Sequence, residues 1–399
     1  MAKIGIFGGS FNPPHLGHLL AVREFQRVLG LDRVVIVPAA VPPHKHLTAN
    51  SPDAAVRLAM TQLAFEKLPD AEVTDLELRR DGPSYTSDTL AALHARYPND
   101  ELFLLMGTDM FCSFENWHEP QRIAELATLA VACRETNDFA AVRACAERLQ
   151  ARFGAKTVQV ENRCLPYSST SVRAMLVFGC AEDYLDPSVL AYILQNGLYG
   201  TGRKLKNLPF DELTRVGLAL LKPQRVAHVQ GCSRTALTLA EHYGADQTDA
   251  ARAGMLHDVT KALSGDEQLK LCEHYGIILN HFERENPKLL HAKTGAAVAE
   301  RVFGENDAVC SAIEWHTTGR ENMTLLEKII YLADYMEPTR CFEGVEELRR
   351  LTWYDLEAAM MLGLRMTARQ LTEKHAQIDP NSLAALRFLE ERNTISNEG

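Results

Sequence analysis

Short, uninterrupted apolar runs recur through the first half of the chain, and segments with helical periodicity lie between them. A strand that helices cover on both faces is apolar throughout, whereas a half-exposed strand alternates. Strands of this kind that alternate with helices predict a doubly wound, parallel α/β sheet. The predicted strands cover residues 4–7, 33–38, 72–78, 101–106, 129–133 and 156–160.

Beyond about residue 200 the apolar runs disappear and only helical periodicity remains. Helices are predicted over residues 208–220, 225–242, 248–256, 293–303, 308–316, 325–336, 354–373 and 380–392. A chain of 399 residues is also longer than one hydrophobic core usually serves. We therefore predict an α/β domain over residues 1–200 and an all-helical domain over residues 209–399, joined by a linker over residues 201–208.

The composition restricts the class of protein. The formal net charge is -10 and neither half is basic, which argues against a general nucleic-acid binder. The nine cysteines include no CxxC pair, so we expect no disulfide framework and a reducing compartment. The chain opens on a strand pattern without a charged-then-apolar leader, and no run approaches membrane-spanning length. We expect a cytoplasmic protein without a membrane partner; the oligomeric state, a homo-oligomer included, stays open.

The first predicted strand runs into the sequence GGSFNPPHLGH, which spans residues 8–18 and leads into an amphipathic helix. Glycines let the backbone approach a ligand closely, and the free N–H groups at a helix start favour phosphate. His15 and His18 stand at that start and can donate to the same anion. In doubly wound sheets, ligands bind beyond the carboxyl ends of the strands, where this segment is expected. We therefore predict a phosphate site here.

A second pattern that suits phosphate lies about 150 residues further along the chain. Hydroxyl side chains at a predicted helix start are followed by Arg173. Hydroxyl and amide donors together with a guanidinium can bind phosphate, although serine and threonine also cap helices that bind nothing. The hydroxyl residues are Ser168, Ser169, Thr170 and Ser171.

These two patterns in one doubly wound sheet resemble the nucleotidylyltransferase superfamily. Further segments over about residues 1–200 resemble nicotinate-nucleotide adenylyltransferase, the NadD family. The family commonly has alanine where this chain has Thr108. The segments are GGSFNPPHLGHL, Pro42-Pro43-His44-Lys45, Ser84-Tyr85-Thr86-Ser87-Asp88-Thr89-Leu90, Gly107-Thr108-Asp109, Trp117 and Tyr184-Leu185-Asp186-Pro187.

The resemblance implies that AMP passes from ATP to nicotinate mononucleotide, which gives nicotinate adenine dinucleotide and pyrophosphate in NAD synthesis. It assigns catalysis to His15, His18 and Arg173, with Mg²⁺ carried by the ATP phosphates. The alternative is another adenylyl- or cytidylyltransferase of the superfamily, such as one acting on a pantetheine phosphate. A preference for nicotinate over nicotinamide mononucleotide stays open. The implied substrate-binding residues are Gly8, Gly9, Ser10, Phe11, Lys45, Tyr85, Thr86, Asp109, Trp117, Ser168, Ser169 and Thr170.

Histidines and aspartates form a separate pattern in the second half. Imidazole and carboxylate ligands together suit divalent transition metals, and six residues are enough for two ions. The adjacent pair points about 100° apart on a helix, so it can reach one or two ions between helices. The residues are His228, His257, Asp258, His291, His316 and Asp334.

The order H…HD…H…H…D resembles the HD phosphohydrolase superfamily, and residues 210–395 are similar to the YqeK family. That resemblance implies symmetrical hydrolysis of diadenosine tetraphosphate to two ADP at two divalent metal ions, with iron expected. Lys261, counted with the catalytic residues, and Arg320 would clamp phosphate. The first implied ion has the ligands His228, His257, Asp258 and Asp334, and the second has His291, His316 and a bridging Asp258.

Two alternatives stay open for the second half. In the first alternative, the helical domain hydrolyses another nucleotide, for example a guanosine tetraphosphate or a nucleoside monophosphate. In the second, it is a non-catalytic module that binds a nucleotide and regulates the transferase. Whether the two sites are coupled is also open.

Overall fold

The computed structural model describes residues 1–43, 51–133, 136–161 and 167–398, without the side chains of residues 136–138 and 395–398. The chain divides into two compact units, Met1–Arg203 and Lys204–Gly399. Each unit buries hydrophobic side chains of its own.

The first unit is built on one six-stranded sheet in which all neighbouring strands run parallel. The strand order is β3-β2-β1-β4-β5-β6, so β1 and β4 lie side by side where the winding reverses. Open α/β sheets bind ligands beyond the carboxyl ends of strands at that point. The strands are β1 (Lys3–Gly9), β2 (Arg33–Pro38), β3 (Ala71–Val73), β4 (Glu101–Gly107), β5 (Thr128–Cys133) and β6 (Thr157–Glu161).

Helices cover both faces of this sheet, as the apolar runs predict. Val35 and Val37 of β2 pack into one buried cluster, while Val34 and Ile36 pack into the other. This two-sided burial explains why the strand is apolar throughout and confirms the doubly wound α/β fold. The helices are α1 (Leu16–Leu29), α2 (Ala54–Phe65), α3 (Thr86–Arg96), α4 (Thr108–Cys112), α5 (Pro120–Leu126), α6 (Thr136–Phe153), α7 (Ser169–Phe178) and α8 (Pro187–Gln195).

The strand predicted over residues 72–78 is shorter than expected. Strand β3 ends at Val73, and the Thr74 N–H donates to the carbonyl of Ile36 at 3.0 Å. The chain then turns, because buried Glu77 accepts a hydrogen bond from the Thr89 hydroxyl at 2.6 Å. The Leu78 N–H donates to the carbonyl of Asp75 at 2.9 Å, so the backbone after β3 forms a turn instead of a longer strand.

The second unit is helical over residues 204–398, all of which the structure describes. The sequence pattern missed α12, although Ser264 and Glu267 form a capping box at its start. Among the described residues, none of the helices combines the length and apolar character that crossing a membrane requires. The helices are α9 (Phe210–Ala219), α10 (Pro223–Tyr243), α11 (Gln247–Leu256), α12 (Gly265–Tyr275), α13 (His281–Glu285), α14 (Leu290–Val298), α15 (Asp307–Trp315), α16 (Leu325–Met336), α17 (Val345–Thr352), α18 (Leu356–Glu373) and α19 (Pro380–Glu398).

Helices α10 and α11 approach closely at Gly254. A Cβ atom there would lie 2.7 Å from the Cα of Ser233 and 3.0 Å from its nitrogen. Backbone atoms cannot move aside as a flexible side chain can, so this position requires glycine. The contact brings His228 of α10 towards His257, which follows α11.

We expect Gly254→Ala to lower the free energy of unfolding of the helical unit by about 1–3 kcal/mol, because the added Cβ forces two packed helices apart. The matched control is Gly217→Ala in α9, whose Cβ would meet only Leu256 and Met255 at about 3.8 Å. That control should be neutral or stabilising by about 0.5–1 kcal/mol. Denaturant unfolding of both variants measures the difference, and equal midpoints would contradict the close packing.

Candidate functional site

The loop after β1 holds His15 and His18 face to face at the start of α1. The N–H of His15 donates to His18 Nδ1 at 3.1 Å, and the N–H of His18 donates to the His15 carbonyl at 2.9 Å. The ring centroids are 3.7 Å apart. Because Nδ1 of His18 accepts a hydrogen bond, the neutral ring carries its proton on Nε2.

The start of α7 contacts this loop directly. Ser168 caps the helix by accepting from the N–H of Ser171 at 3.0 Å, so part of its role is structural. Ser169 donates to the carbonyl of Pro13 at 3.2 Å, and Arg173 Nη1 donates to the carbonyl of Asn12 at 2.7 Å. The two segments that the sequence singled out therefore meet at the carboxyl end of β1.

Asn12 connects the loop to two further segments that the sequence analysis missed. Its side-chain oxygen accepts from the Tyr199 hydroxyl at 2.9 Å, and its nitrogen donates to the Ser51 hydroxyl at 2.7 Å. Tyr199 is buried and has a positive φ of 56°, which only tertiary contacts can hold in a non-glycine residue. The Tyr-Gly pair at 199–200 was visible in the sequence, but its distant partner was not.

Arg57 is a second residue that the sequence analysis missed. It lies on α2, is 1% exposed, and donates to the main-chain carbonyls of Ser10, Ala39 and Ala40 at 2.7, 2.7 and 2.9 Å. Burial lowers the pKa of this guanidinium. Its bonds tie the loop after β1 to the end of β2, and nothing in the local sequence of α2 indicates that role.

Phe11 packs against His18, and the glycine before the loop packs against Phe11. The Phe11 ring is buried and meets the His18 ring edge-on at 5.2 Å. A Cβ at Gly9 would lie 3.2 Å from the Phe11 ring, so the loop closes tightly there. Gly8 and Ser10 flank this contact, Gly8 within β1 and Ser10 directly after it.

The residues predicted to hold the mononucleotide lie on segments that follow β3 and β4. Thr86 begins α3, and the Tyr85 ring before it stacks on His118 with centroids 4.0 Å apart. Asp109 is exposed in α4, directly after β4. Half-buried Trp117 packs against the edge of the core. Lys45 lies outside the described residues.

Thr108 takes the place of the family's usual alanine. Its hydroxyl donates to the carbonyl of Ala132 at 3.2 Å and joins the carboxyl ends of β4 and β5. The threonine therefore adds a hydrogen bond between the ends of the two strands.

Three buried histidines of the helical unit share one local geometry. Nδ1 of His257, His291 and His316 each lies near the carbonyl of the residue three positions earlier, at 2.8, 2.7 and 2.6 Å. A carbonyl only accepts, so Nδ1 carries the proton and Nε2 presents a lone pair. Burial lowers the pKa of all three rings, that of His316 to about 4, so they are neutral at pH 7.

His228 is held by a carboxylate instead. Its Nδ1 lies 3.0 Å from Oε1 of Glu337, a fully buried residue that the sequence analysis missed. Glu337 also accepts from the N–H of Thr339 at 2.7 Å. A Cβ on Gly231 would collide with the carboxylate, so a glycine is needed on the neighbouring turn of α10.

The four Nε2 atoms converge in two pairs. His228 and His257 approach to 3.3 Å, while His291 and His316 approach to 3.2 Å. Lone pairs of neutral rings repel at such distances, and a cation between them relieves the repulsion. The Oδ1 atom of Asp334 lies 3.1 Å from His228 Nε2, which adds a negative ligand to the first pair. This donor set fits divalent transition metals.

Asp258 lies between the two pairs. Its Oδ1 is 3.5 Å from Nε2 of His291, and its Oδ2 is 3.6 Å from Nε2 of both His228 and His257. The carboxylate oxygens thus face different histidine pairs, as a bridge between two ions requires. The six predicted ligands come together in one cluster.

Cations border this cluster. Arg225 Nη2 contacts Oδ2 of Asp258, and Arg340 Nη2 donates to Oδ1 of Asp334 at 2.6 Å. Lys261 Nζ lies 2.9 Å from Nε2 of His291. Although the residue as a whole is exposed, desolvation of its ammonium beside the cluster lowers the pKa of Lys261 to about 8. The sequence pattern assigned no role to either arginine. Arg225 lies 33 residues from Asp258 along the chain, which hides that pairing, whereas Arg340 lies only six residues from Asp334.

Arg320, the other predicted phosphate clamp, has a structural partner. Its Nε and Nη2 lie 3.2 and 2.9 Å from Oε1 of Glu327. Glu327 is fully buried and also accepts from the N–H of Thr324 at 2.9 Å, which caps α16. Arg320 therefore supports the start of α16, and its contact with a substrate phosphate stays a prediction.

Comparisons with known proteins match different family models to the two halves of the chain. A cytidylyltransferase-like family model matches residues 6–175, and an HD domain model matches residues 225–339. The chain therefore joins a nucleotidyltransferase α/β domain to a helical HD domain, a class of domain that binds divalent metals.

Relatives narrow the first half further. A probable nicotinate-nucleotide adenylyltransferase of Borreliella burgdorferi is 35% identical over 198 residues, which are 49% of this chain and 96% of the relative. One of Thermomicrobium roseum is 38% identical over 208 residues, 50% of this chain and 93% of the relative. Over its first half, the chain belongs to the nicotinate-nucleotide adenylyltransferase family.

The second half resembles a solved structure. A predicted HD superfamily hydrolase involved in NAD metabolism from Clostridium acetobutylicum has 38% sequence identity. The match covers 46% of this chain and 98% of that chain, with a TM-score of 0.45.

We expect Glu337→Gln to weaken metal binding about 10- to 100-fold, because the amide no longer fixes the His228 ring as a carboxylate does. Competition with a chromogenic chelator measures the affinity. The control is Glu347→Gln on α17, where the glutamate is exposed. Wild-type affinity in Glu337→Gln would show that this carboxylate does not support the metal site.

Proposed function

We propose that the first unit transfers the adenylyl group of ATP to nicotinate mononucleotide, which gives nicotinate adenine dinucleotide and pyrophosphate. The contact between the two phosphate-binding segments carries the proposal. Arg173 bonds the carbonyl of Asn12, in the loop that leads to His15 and His18. The relatives of this half bear the name of that activity and match over most of their length.

The reaction is an in-line attack by a phosphate oxygen of the mononucleotide on the α-phosphorus of ATP. It needs no covalent protein intermediate, so the protein contributes positioning and charge stabilisation. His18 offers its Nε2 proton to the triphosphate because its Nδ1 is already bonded. The Arg173 Nε, which is buried and without a hydrogen-bond partner in the described residues, belongs to a guanidinium that faces the same loop.

The remaining residues divide between the two substrates. Main-chain groups of Gly8 to Phe11 and the hydroxyls of Ser168 to Thr170 line the ATP phosphates, with Mg²⁺ carried by those phosphates. Tyr85, Thr86, Asp109 and Trp117 hold the mononucleotide, with the indole against the pyridine ring. In this assignment, His15 and His18 lie beside the ATP phosphates, where negative charge develops in the transition state.

We expect His18→Ala to lower kcat/KM for pyrophosphate release about 100- to 1,000-fold, the cost of losing one donor to developing charge. The control is His94→Ala on α3, where the histidine is exposed. A coupled pyrophosphate assay with ATP and a panel of acceptors measures both variants. Pyrophosphate release with a pantetheine phosphate, but not with nicotinate mononucleotide, would contradict the proposed acceptor and favour another substrate of the superfamily.

We also propose that the helical unit hydrolyses diadenosine tetraphosphate to two ADP at two divalent transition metal ions, with iron the first candidate. Asp258 carries this proposal, since its two oxygens face separate histidine pairs. A carboxylate placed in this way can bridge two ions. When bound, such ions neutralise phosphate charge and make water nucleophilic at neutral pH.

The chain's own residues hold and orient this site. Main-chain carbonyls and Glu337 fix the four rings with Nε2 inward. Lys261 gives up its contact with His291 when that lone pair is taken, and its ammonium then faces the phosphate chain. Cleavage between the central phosphates places one ADP on each side of the break.

We expect Asp258→Asn to lower the rate of diadenosine tetraphosphate hydrolysis by about 1,000-fold or more, because the bridging carboxylate is lost. Pyrophosphate release at the first unit should be unchanged. An amide bridges two cations poorly because it lacks the carboxylate charge. The matched control is Asp266→Asn at the exposed start of α12. Hydrolysis of a guanosine tetraphosphate or a nucleoside monophosphate instead would change the substrate. Bound metal with no turnover would favour the sensing module.

A further inference from the structure

Two arginines contact the carboxylates of the metal cluster, and they are anchored differently. Arg340 is fixed twice, since its Nη2 donates to Oδ1 of Asp334 at 2.6 Å and its Nε donates to the Asp334 carbonyl at 2.9 Å. A main-chain carbonyl stays available whether or not an ion is bound. Arg340 therefore keeps a partner in every state of the site and orients Asp334.

Arg225 has no such main-chain anchor among its described bonds. Its Nη2 contacts Oδ2 of Asp258, and its Nε is buried without a hydrogen-bond partner in the residues described. A buried guanidinium N–H without a partner costs free energy unless a ligand completes it. The side chain is 28% exposed, so it reaches the solvent side of a cluster whose histidines are nearly inaccessible.

The oxygen that Arg225 holds is the one an ion would take. Oδ2 of Asp258 lies 3.6 Å from Nε2 of both His228 and His257. An ion bound by those nitrogens competes with the guanidinium for Oδ2, and two positive charges repel at that range. Loading of the first metal position would therefore weaken the contact between Arg225 and Asp258.

The charge of the loaded cluster calls for an anion. The negative charges of Asp258, Asp334 and Glu337 are already neutralised in part by the positive charges of Arg225 and Arg340. Two divalent ions would leave an excess of positive charge, which a single phosphate only partly offsets. Arg225 also lies in the first turn of α10, where the helix dipole adds to the attraction for phosphate.

We propose that Arg225 is a phosphate-binding residue of the helical unit: its guanidinium, beside Asp258 and partly exposed to solvent, binds the polyphosphate chain of the substrate when the metals are bound. This inference rests on the proposed metal-dependent hydrolase. Its ligand is a chain of two or more phosphates, which the guanidinium binds through paired N–H groups. Arg340 remains a positioning residue for Asp334.

The test uses the full chain in a His18→Ala background, which removes a phosphate donor of the first unit, loaded with Mn²⁺. Calorimetry measures the affinity for ADP and for pyrophosphate, and elemental analysis measures bound Mn²⁺. A metal-free arm of each variant defines the binding that does not depend on the cluster. The variants are Arg225→Gln, Arg225→Lys and Arg340→Gln.

We expect Arg225→Gln to keep its Mn²⁺ and to lose metal-dependent affinity for both ligands about 10- to 100-fold, the loss of a charge-assisted pair. Arg225→Lys should recover only part of that affinity, because an ammonium group cannot form the bidentate hydrogen bonds of a guanidinium. Arg340→Gln should lose Mn²⁺ instead.

Unchanged ligand affinity in Arg225→Gln would overturn the proposal, and so would loss of Mn²⁺ comparable with that in Arg340→Gln. Absence of any metal-dependent binding in the parent protein would overturn it too. The proposed hydrolase fails separately: a loaded protein that binds ADP through Arg225 but leaves diadenosine tetraphosphate intact keeps this inference and loses that substrate.

Discussion

Two pairs of imidazole nitrogens in the helical unit approach to 3.3 and 3.2 Å, and the rest of that unit is arranged to hold them there. Each ring donates its Nδ1–H to an acceptor, and burial keeps three of the rings neutral. Lone pairs held this close repel one another. The packing of α10 against α11 at Gly254 brings His228 close to His257, and bound cations would relieve the repulsion within each pair.

The first unit solves a similar problem with hydrogen bonds. The loop that presents the two histidines has little secondary structure of its own, so its shape depends on donors from distant segments. Arg173 and Tyr199 both bond Asn12, and Arg57 bonds the loop at Ser10. In the first unit the two histidines come from one short motif, and the residues that fix their loop come from far along the chain. In the helical unit the predicted ligands themselves are spread over residues 228–334, and three of the four rings are fixed by the carbonyl three residues earlier.

The distance along the chain between interacting residues explains which features could be predicted from sequence. Local patterns gave the doubly wound sheet, the helical second half and the HD arrangement, because periodicity and motif spacing are short-range signals. Glu337, Tyr199 and Arg225 escaped, since each acts through a partner at least 33 residues away. The strand expected over residues 72–78 ended early because Glu77 bonds Thr89 on α3, a tertiary contact that strand propensity does not register.

The central claim is that the helical unit holds a bridged pair of ions. X-ray absorption spectroscopy on the metal-loaded protein, with elemental analysis of the same sample, tests it most directly. We predict two divalent ions per chain, imidazole ligands in the first coordination sphere, and a metal–metal distance of about 3.5–4 Å. A single ion per chain at saturation, or two ions without a metal–metal vector, would contradict the account.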